Sequence, residues 1–145
     1  MLPFRHIQHS QIIVGRAITN NATASASIDT NGADYATIIV NLSSQANTNA
    51  VGPTISLLES DDTVVTNHAT VTADITGATA ATGKPIVYGV DLRGRKRYLR
   101  LTVSTATATN DNLVGASADL LLSRLKSGPA GTTAIVSTNG VCRWV

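Results

Sequence analysis

The sequence predicts an all-β protein, an antiparallel β-sandwich of jelly-roll type with about eight strands, an extended N-terminal arm and a C-terminal hairpin. Short runs of alternating apolar and polar residues recur along the chain. Turn residues separate these runs at intervals of roughly 8–12 residues. Several connections are long enough to cross between two sheets, which favours a sandwich over the alternative of a closed barrel.

Composition agrees with one aliphatic β domain. The chain has 145 residues, of which 3% are aromatic and 14% are charged, against roughly 25% charged in an average domain. Thr, Ser and Asn must therefore cover much of the surface, and the low charge leaves little repulsion against self-association. The single cysteine, Cys142, excludes an intrachain disulfide. No secretion signal and no membrane-helix-length apolar run is present, so we expect synthesis in a cytoplasm-like compartment and no membrane partner.

Three segments are expected along the chain. Residues 1–10 have no hydrophobic period and predict an arm, residues 11–126 a sandwich body, and residues 127–145 a C-terminal extension. The extension contains an Asn139-Gly140 pair between two apolar runs, which indicates a hairpin. Because the arm and the hairpin carry the only Phe and the only Trp, each is expected to pack on its own body or on a neighbour.

The alternating pattern places the body strands. They are expected at residues 11–17, 22–28, 35–42, 54–58, 68–75, 86–90, 97–105 and 114–124, with Val64 and Val65 resuming a strand. The Asn31-Gly32 pair predicts a hairpin. Residues 86–105 predict a second, central hairpin around a turn at residues 91–96. Its inward residues would be Ile86, Tyr88, Val90, Leu99, Leu101 and Val103. Residues 114–124 have helical propensity, but their alternation favours a strand.

Charge is distributed unevenly along the chain. Residues 1–83 have a net charge of −4 and residues 84–145 a net charge of +6. The two halves are thus electrostatically complementary, either within one chain or between chains of an assembly. The densest cationic cluster is the predicted turn with Arg93, Arg95, Lys96 and Arg97, followed by Arg100. Arginine pairs well with carboxylates, so we expect this cluster to contact an acidic protein surface, in the protein's own assembly or on a partner.

Catalytic and metal signatures are not recognisable. His6, His9 and His68 lie in no nucleophile motif and have no metal-ligand spacing. The acidic residues 59–62 lack the ligand spacing of a calcium loop, and Gly83-Lys84-Pro85 lacks the pattern of a phosphate loop. We therefore expect a protein that is not an enzyme and binds no cofactor.

Four short segments resemble a known class of protein. They read YATIIV at residues 35–40, LESDDT at 58–63, RYLRLTV at 97–103 and SADLLLSR at 117–124. In this order they resemble tailed-phage capsid decoration, or cement, proteins, over roughly residues 10–126. The resemblance implies a jelly-roll body, homotrimers on the capsid surface of the virion, and termini that clasp neighbours. The implied partners are the major capsid protein and the chain itself.

The resulting hypothesis is a structural protein that binds the capsid exterior and stabilises it by bridging subunits. A carbohydrate- or receptor-binding module of a virion is the alternative. A nucleic-acid binder is disfavoured, because the net charge is modest and stacking aromatics are missing around the cationic turn. The predicted partner-binding residues are Phe4, Arg5, Arg93, Arg95, Lys96, Arg97, Arg100, Arg143 and Trp144.

Overall fold

The computed structural model describes residues 7–18, 22–42, 53–71, 85–105, 114–123, 136–137 and 140–144. These residues form ten strands and one short 3₁₀ turn, Val65–Asn67. The strands are β1 (Ile7–Ile18), β2 (Thr23–Asp29), β3 (Tyr35–Leu42), β4 (Thr54–Ser60), β5 (Ala69–Thr70), β6 (Ile86–Asp91), β7 (Tyr98–Ser104), β8 (Val114–Ser123), β9 (Val136–Ser137) and β10 (Gly140–Trp144).

Two sheets form the sandwich. One sheet has the order β1-β8-β3-β6-β10-β9, and the other has the order β2-β7-β4-β5. The first eight strands thus divide into sheets of order 1-8-3-6 and 2-7-4-5, which is the strand order of an eight-stranded jelly roll. Neighbouring strands are antiparallel, except that β10 runs parallel to β6. The predicted all-β, jelly-roll sandwich is confirmed.

The core lies between the two sheets and is almost entirely aliphatic. The inward positions of β6 and β7 match the predicted alternation. Ile86, Tyr88, Val90, Leu99, Leu101 and Val103 are each at most 1% exposed. Residues 114–123 form strand β8, with Ala116, Ala118, Leu120 and Leu122 buried. Alternation therefore decided correctly between helix and strand in this segment.

The pairing of the two predicted hairpins is wrong. β2 pairs with β7 and β3 pairs with β8 and β6, so the Asn31-Gly32 turn connects the two sheets. Likewise β6 and β7 lie in different sheets, and residues 92–97 cross the sandwich between them. Gly32 and Gly94 do adopt positive φ, at 79° and 87°. The same turn chemistry thus serves a crossing between sheets, because a turn fixes local direction and not the strand's hydrogen-bonding partner.

The two ends of the chain join the larger sheet. β1 begins at Ile7, within the predicted arm, and pairs with β8 from Ile7↔Ser123 onward. The predicted C-terminal hairpin is present as β9 and β10, and its strand β10 pairs with β6 of its own chain. Residues 1–6 and 124–135 lie outside the described residues. Val65 does not resume a strand, because it starts the 3₁₀ turn.

Candidate functional site

Three connections meet at one end of the sandwich. Asp29 of β2 and Ser60 of β4 both lie opposite Tyr98 of β7, and Tyr35 of β3 lies opposite Asp91 of β6. Backbone hydrogen bonds join two of the connections, from Thr30 N–H to the Arg97 carbonyl (3.0 Å) and from Leu92 N–H to the Asp34 carbonyl (2.9 Å). We call this end, formed by residues 29–35, 59–68 and 91–98, the arch end.

Arg97 is held by an aspartate of the neighbouring strand. Its Nε and Nη2 donate to the two carboxylate oxygens of Asp29 at 2.9 and 2.7 Å, and its guanidinium lies 5.0 Å from the centre of the Tyr98 ring. This bidentate contact, with a further hydrogen bond from Asn31 N–H, lowers the pKa of Asp29 from 3.8 to about 2. Planar, charge-assisted pairing of this kind fixes the orientation of both groups.

Arg93 makes an equivalent pair within its own connection. Its Nε and Nη2 donate to Asp91 at 2.9 and 2.5 Å, and its guanidinium lies 5.2 Å from the centre of the Tyr35 ring. The contact lowers the pKa of Asp91 from 3.8 to about 2 and raises the pKa of Arg93. Arg93 is therefore occupied by a carboxylate and an aromatic ring of its own chain.

Arg95 and Lys96 are the two remaining cations of the turn, and each forms an ion pair with an acidic residue near the end of β4. Arg95 Nη1 lies 3.7 Å from Glu59 Oε1, and Lys96 Nζ lies 3.3 Å from Asp61 Oδ2. Strand order explains the arrangement, since β7 lies between β2 and β4 in its sheet. A cationic segment that enters β7 must pass between the acidic ends of both neighbours.

Arg100 differs from the four turn cations. It lies within β7, and its Nη2 donates to Ser25 Oγ at 3.1 Å. The predicted cationic cluster is thus brought together as four ion pairs plus one separate arginine. The acids that Arg95, Lys96 and Arg97 contact, which are Glu59, Asp61 and Asp29, belong to the acidic half of the same chain.

These acidic partners were not predicted from the sequence. Asp29 and Glu59 each lie at or next to the last position of a strand that flanks β7. The sequence does contain acidic residues at the ends of β2 and β4 and basic residues just before β7. This pattern became usable only once the sheet order was known.

The connection between β4 and β5 presents an exposed apolar tip. Val64 and Val65 are 52% and 58% exposed. Asp62 fixes the loop below them, since it accepts hydrogen bonds from Val64 N–H and Asn67 Nδ2 at 2.8 Å each. These hydrogen bonds, that from Asn67 foremost, lower the pKa of Asp62. The tip is therefore a braced pair of valines on an exposed connection, where the sequence pattern predicted a resumed strand.

Both described chain ends are directed toward the arch end. β1 begins there, because Ile7 and Tyr35 both lie opposite Ser123. β10 runs parallel to β6 and ends with Trp144 opposite Gly89, two residues before Asp91. Phe4 and Arg5 lie outside the described residues, and Arg143 and Trp144 are described only as backbone of β10. Of the predicted terminal residues, the structure therefore places only Arg143 and Trp144, on a strand that runs toward the arch end.

Other chemistry finds little support in the described part of the chain. No group of three His, Cys, Asp or Glu side chains there could hold a metal ion. His9 Nε2 lies 3.8 Å from Asp119, and His68 Nδ1 lies 3.0 Å from the Val64 carbonyl. Among the same residues, no helix is long and apolar enough to cross a membrane.

The fold defines a jelly-roll sandwich with an ion-paired end, and comparisons with known proteins add the following. No protein-family model and no curated protein matches the sequence. Among solved structures, the chain is similar to Bacillus endospore appendages, a family of disulfide-linked pili, at 16% identity and a TM-score of 0.48, covering 84% of this chain and 91% of that one.

Two further solved structures are similar. The infectious bursal disease virus VP2 subviral particle has 14% identity and a TM-score of 0.49, covering 84% of this chain, which spans only 33% of the VP2 chain. The Yersinia pseudotuberculosis-derived mitogen has 14% identity and a TM-score of 0.43, covering 92% of this chain and 98% of that one. At such low identities and TM-scores these similarities carry no argument, so function rests on the chain's own surfaces.

Proposed function

We propose that this chain is a non-enzymatic structural protein of a phage virion. It binds the capsid exterior as a homotrimer and stabilises the shell by bridging major capsid protein subunits. The arch end is the surface that contacts the shell, together with the chain ends that adjoin it. The observation that carries the proposal is the convergence of both described chain ends and the exposed Val64–Val65 tip at one braced end of a rigid sandwich.

The charge state of the arch end favours a protein partner. Its four turn cations already have carboxylate partners, so a nucleic-acid phosphate would have to displace them. Apolar contact at the valine tip, by contrast, needs no such exchange. A neutralised surface with a few exposed apolar side chains suits a protein interface, whose centre is depleted of unpaired charge.

The described aromatic residues do not favour a glycan site. Sugar stacking needs an exposed ring face, whereas Tyr88 is fully buried and Tyr35 is 7% exposed. Arginine guanidinium groups lie over the rings of Tyr35 and Tyr98. No specific observation therefore supports the carbohydrate-binding alternative.

Binding to emptied shells tests the proposal. Capsid shells assembled without this protein are mixed with the purified chain, and cosedimentation gives affinity and stoichiometry. The wild type should bind in multiples of three. The double variant Val64→Asp/Val65→Asp should bind at least about tenfold more weakly, because two apolar contacts are replaced by charges. Deletion of residues 1–6 should also weaken binding, and it leaves β1 intact.

Gln11→Asp provides the matched control. Gln11 is exposed and lies in the middle of β1, away from the arch end and from the opposite end of the sheet, so its substitution should leave shell binding unchanged. Thermal unfolding of each variant separates lost binding from lost folding. Shell binding that is indifferent to the Val64/Val65 substitution, or equally sensitive to Gln11→Asp, would refute the arch end as the contact surface.

A further inference from the structure

A groove lies at the end of the larger sheet opposite the arch end. It has a volume of about 400 Å³ and is lined by Gly15, Arg16, Asn41, Leu42, Gly115, Ala116 and Ser117. These residues come from β1, β3 and β8, three neighbouring strands. The volume falls in the range of about 300–1,000 Å³ that is typical of ligand sites, and most of the lining is apolar.

The pairing of β1 is irregular next to the groove. The pairing of β1 with β8 shifts register between Gln11 and Ile13 and again between Ile13 and Arg16. Between Ile13 and Arg16, β1 advances by three residues while β8 advances by two. Such bulges bend an edge strand and redirect its side chains, and they are frequent next to functional sites. Here the shift comes immediately before Arg16, a groove residue.

Among the described cations, Arg16 is the one that lies at this groove. The structure describes six Lys and Arg side chains, and four of them are ion-paired with carboxylates. Arg16 is exposed, has no described carboxylate partner, and donates only to the Thr23 carbonyl at 3.4 Å. That distance is at the long end for a hydrogen bond, so an incoming acceptor replaces it at little cost.

The rest of the lining suits one carboxylate on an extended chain. Asn41 and Ser117 lie opposite each other on β3 and β8 and add an amide and a hydroxyl. A Cβ added at Gly15 meets nothing within 4 Å, so there is open space above the backbone. A single guanidinium fully neutralises a carboxylate, whose charge is −1, but only partly neutralises a phosphate, whose charge is about −1.5 to −2.

We propose that this groove binds an acidic, extended segment of a partner protein, with an Asp or Glu carboxylate on Arg16 and small apolar neighbours along the groove. Recognition of an acidic segment is argued from the groove alone, whereas the identity of the partner as a shell subunit rests on the proposed function. The groove would then give the chain a second attachment point at the far end from the arch end. Two opposite attachment points are what bridging between subunits requires.

Peptide titration of the isolated ¹⁵N-labelled chain tests the groove directly. The probes are acetyl-Thr-Val-Asp-Val-Thr-amide and the same peptide with Asn in place of Asp. The Asp peptide should produce saturable shifts at the amides of Gly15, Asn41 and Ser117. The Asn peptide should bind at least about tenfold more weakly, because it lacks the charge-assisted hydrogen bond.

Two variants and a matched control localise the effect. Arg16→Gln should weaken binding of the Asp peptide by about tenfold, and Gly15→Leu should block binding by filling the groove. Arg100→Gln removes the other described cation without a carboxylate partner and should change nothing. Equal affinity for the two peptides, absence of saturable shifts with either, or equal losses in Arg16→Gln and Arg100→Gln would each overturn the proposal.

Two further outcomes identify a different occupant. Displacement of the Asp peptide by inorganic phosphate at equal concentration would assign the groove to phosphate. Self-association of the wild type that Arg16→Gln abolishes would assign it to a second copy of the chain. Either result overturns the proposal. Peptide binding without shell binding would refute the proposed function while leaving the groove intact, and the reverse result would refute the groove alone.

Discussion

The ion pair between Arg95 and Glu59 offers a quantitative test of the intramolecular arrangement at the arch end. The perturbation is a double-mutant cycle with Arg95→Met, Glu59→Gln and the combined variant. The two side chains are 31% and 18% exposed, with 3.7 Å between Nη1 and Oε1. With an effective dielectric constant near 20, Coulomb's law gives an attraction of roughly 4–5 kcal/mol at that distance.

Desolvation and side-chain ordering offset most of that attraction. Exposed pairs couple by about 0.2–1 kcal/mol, and this pair is only partly exposed, so we expect a coupling free energy of about 1 kcal/mol. For a chain of this size the single variants should lower Tm by about 2–4 °C per kcal/mol lost. Raising the salt concentration should reduce the coupling by screening.

Equilibrium unfolding in urea at low and high salt measures the four species. Arg100→Met is the control, because Arg100 contacts Ser25 and no described carboxylate. It should lower stability without any dependence on Glu59. A coupling near zero at low salt, with both single variants as stable as the wild type, would mean that the turn cations are not held by their own chain.

Two other expectations follow from the geometry. The pKa values of Asp29 and Asp91 are lowered from 3.8 to about 2. Their contribution to folding stability is therefore present above pH about 4 and is lost as the pH falls toward 2. Asp29→Asn should flatten that decline in acid unfolding curves, and an unchanged curve would contradict the pairing. Gly94→Ala should destabilise the chain by about 1–2 kcal/mol in denaturant unfolding, because φ at Gly94 is +87°. Gly15→Ala should be nearly neutral, because Gly15 has the same open space but no positive φ. Equal effects of the two substitutions would refute the backbone argument.

Alternation of apolar residues predicted the strands well, since burial on one face is a local property. β3 has the predicted bounds, and the inward residues of β6 and β7 are all buried. The choice of strand partners was not predictable in the same way. The turns at Gly32 and Gly94 have the positive φ of hairpin turns, yet each crosses from one sheet to the other. Pairing depends on contacts remote in sequence, which no turn motif encodes.

The candidate site shows the same division. Its cations were identified from the sequence because they are adjacent along the chain. Their partners Asp29 and Glu59 are separated from them by tens of residues, and only the position of β7 between β2 and β4 brings them together. The groove at Arg16 was not predicted, because it depends on a register shift in β1. Neither feature leaves a contiguous motif.

Intramolecular ion pairing changes the meaning of the charge pattern. The acidic and basic halves of the chain are complementary because they pack against each other at the arch end. Charge alone therefore gives little reason to expect an external acidic or nucleic-acid partner at this end. The exposed valine tip and the adjoining chain ends are the features that remain for a partner protein.

Hydrogen–deuterium exchange of the chain, free and bound to capsid shells, tests the central claim most directly. We predict that binding slows exchange in residues 61–68, at the arch end, and leaves the buried strand β7 unchanged. Shell binding without slower exchange at the arch end would contradict the account, as would a failure of the folded chain to bind shells at all.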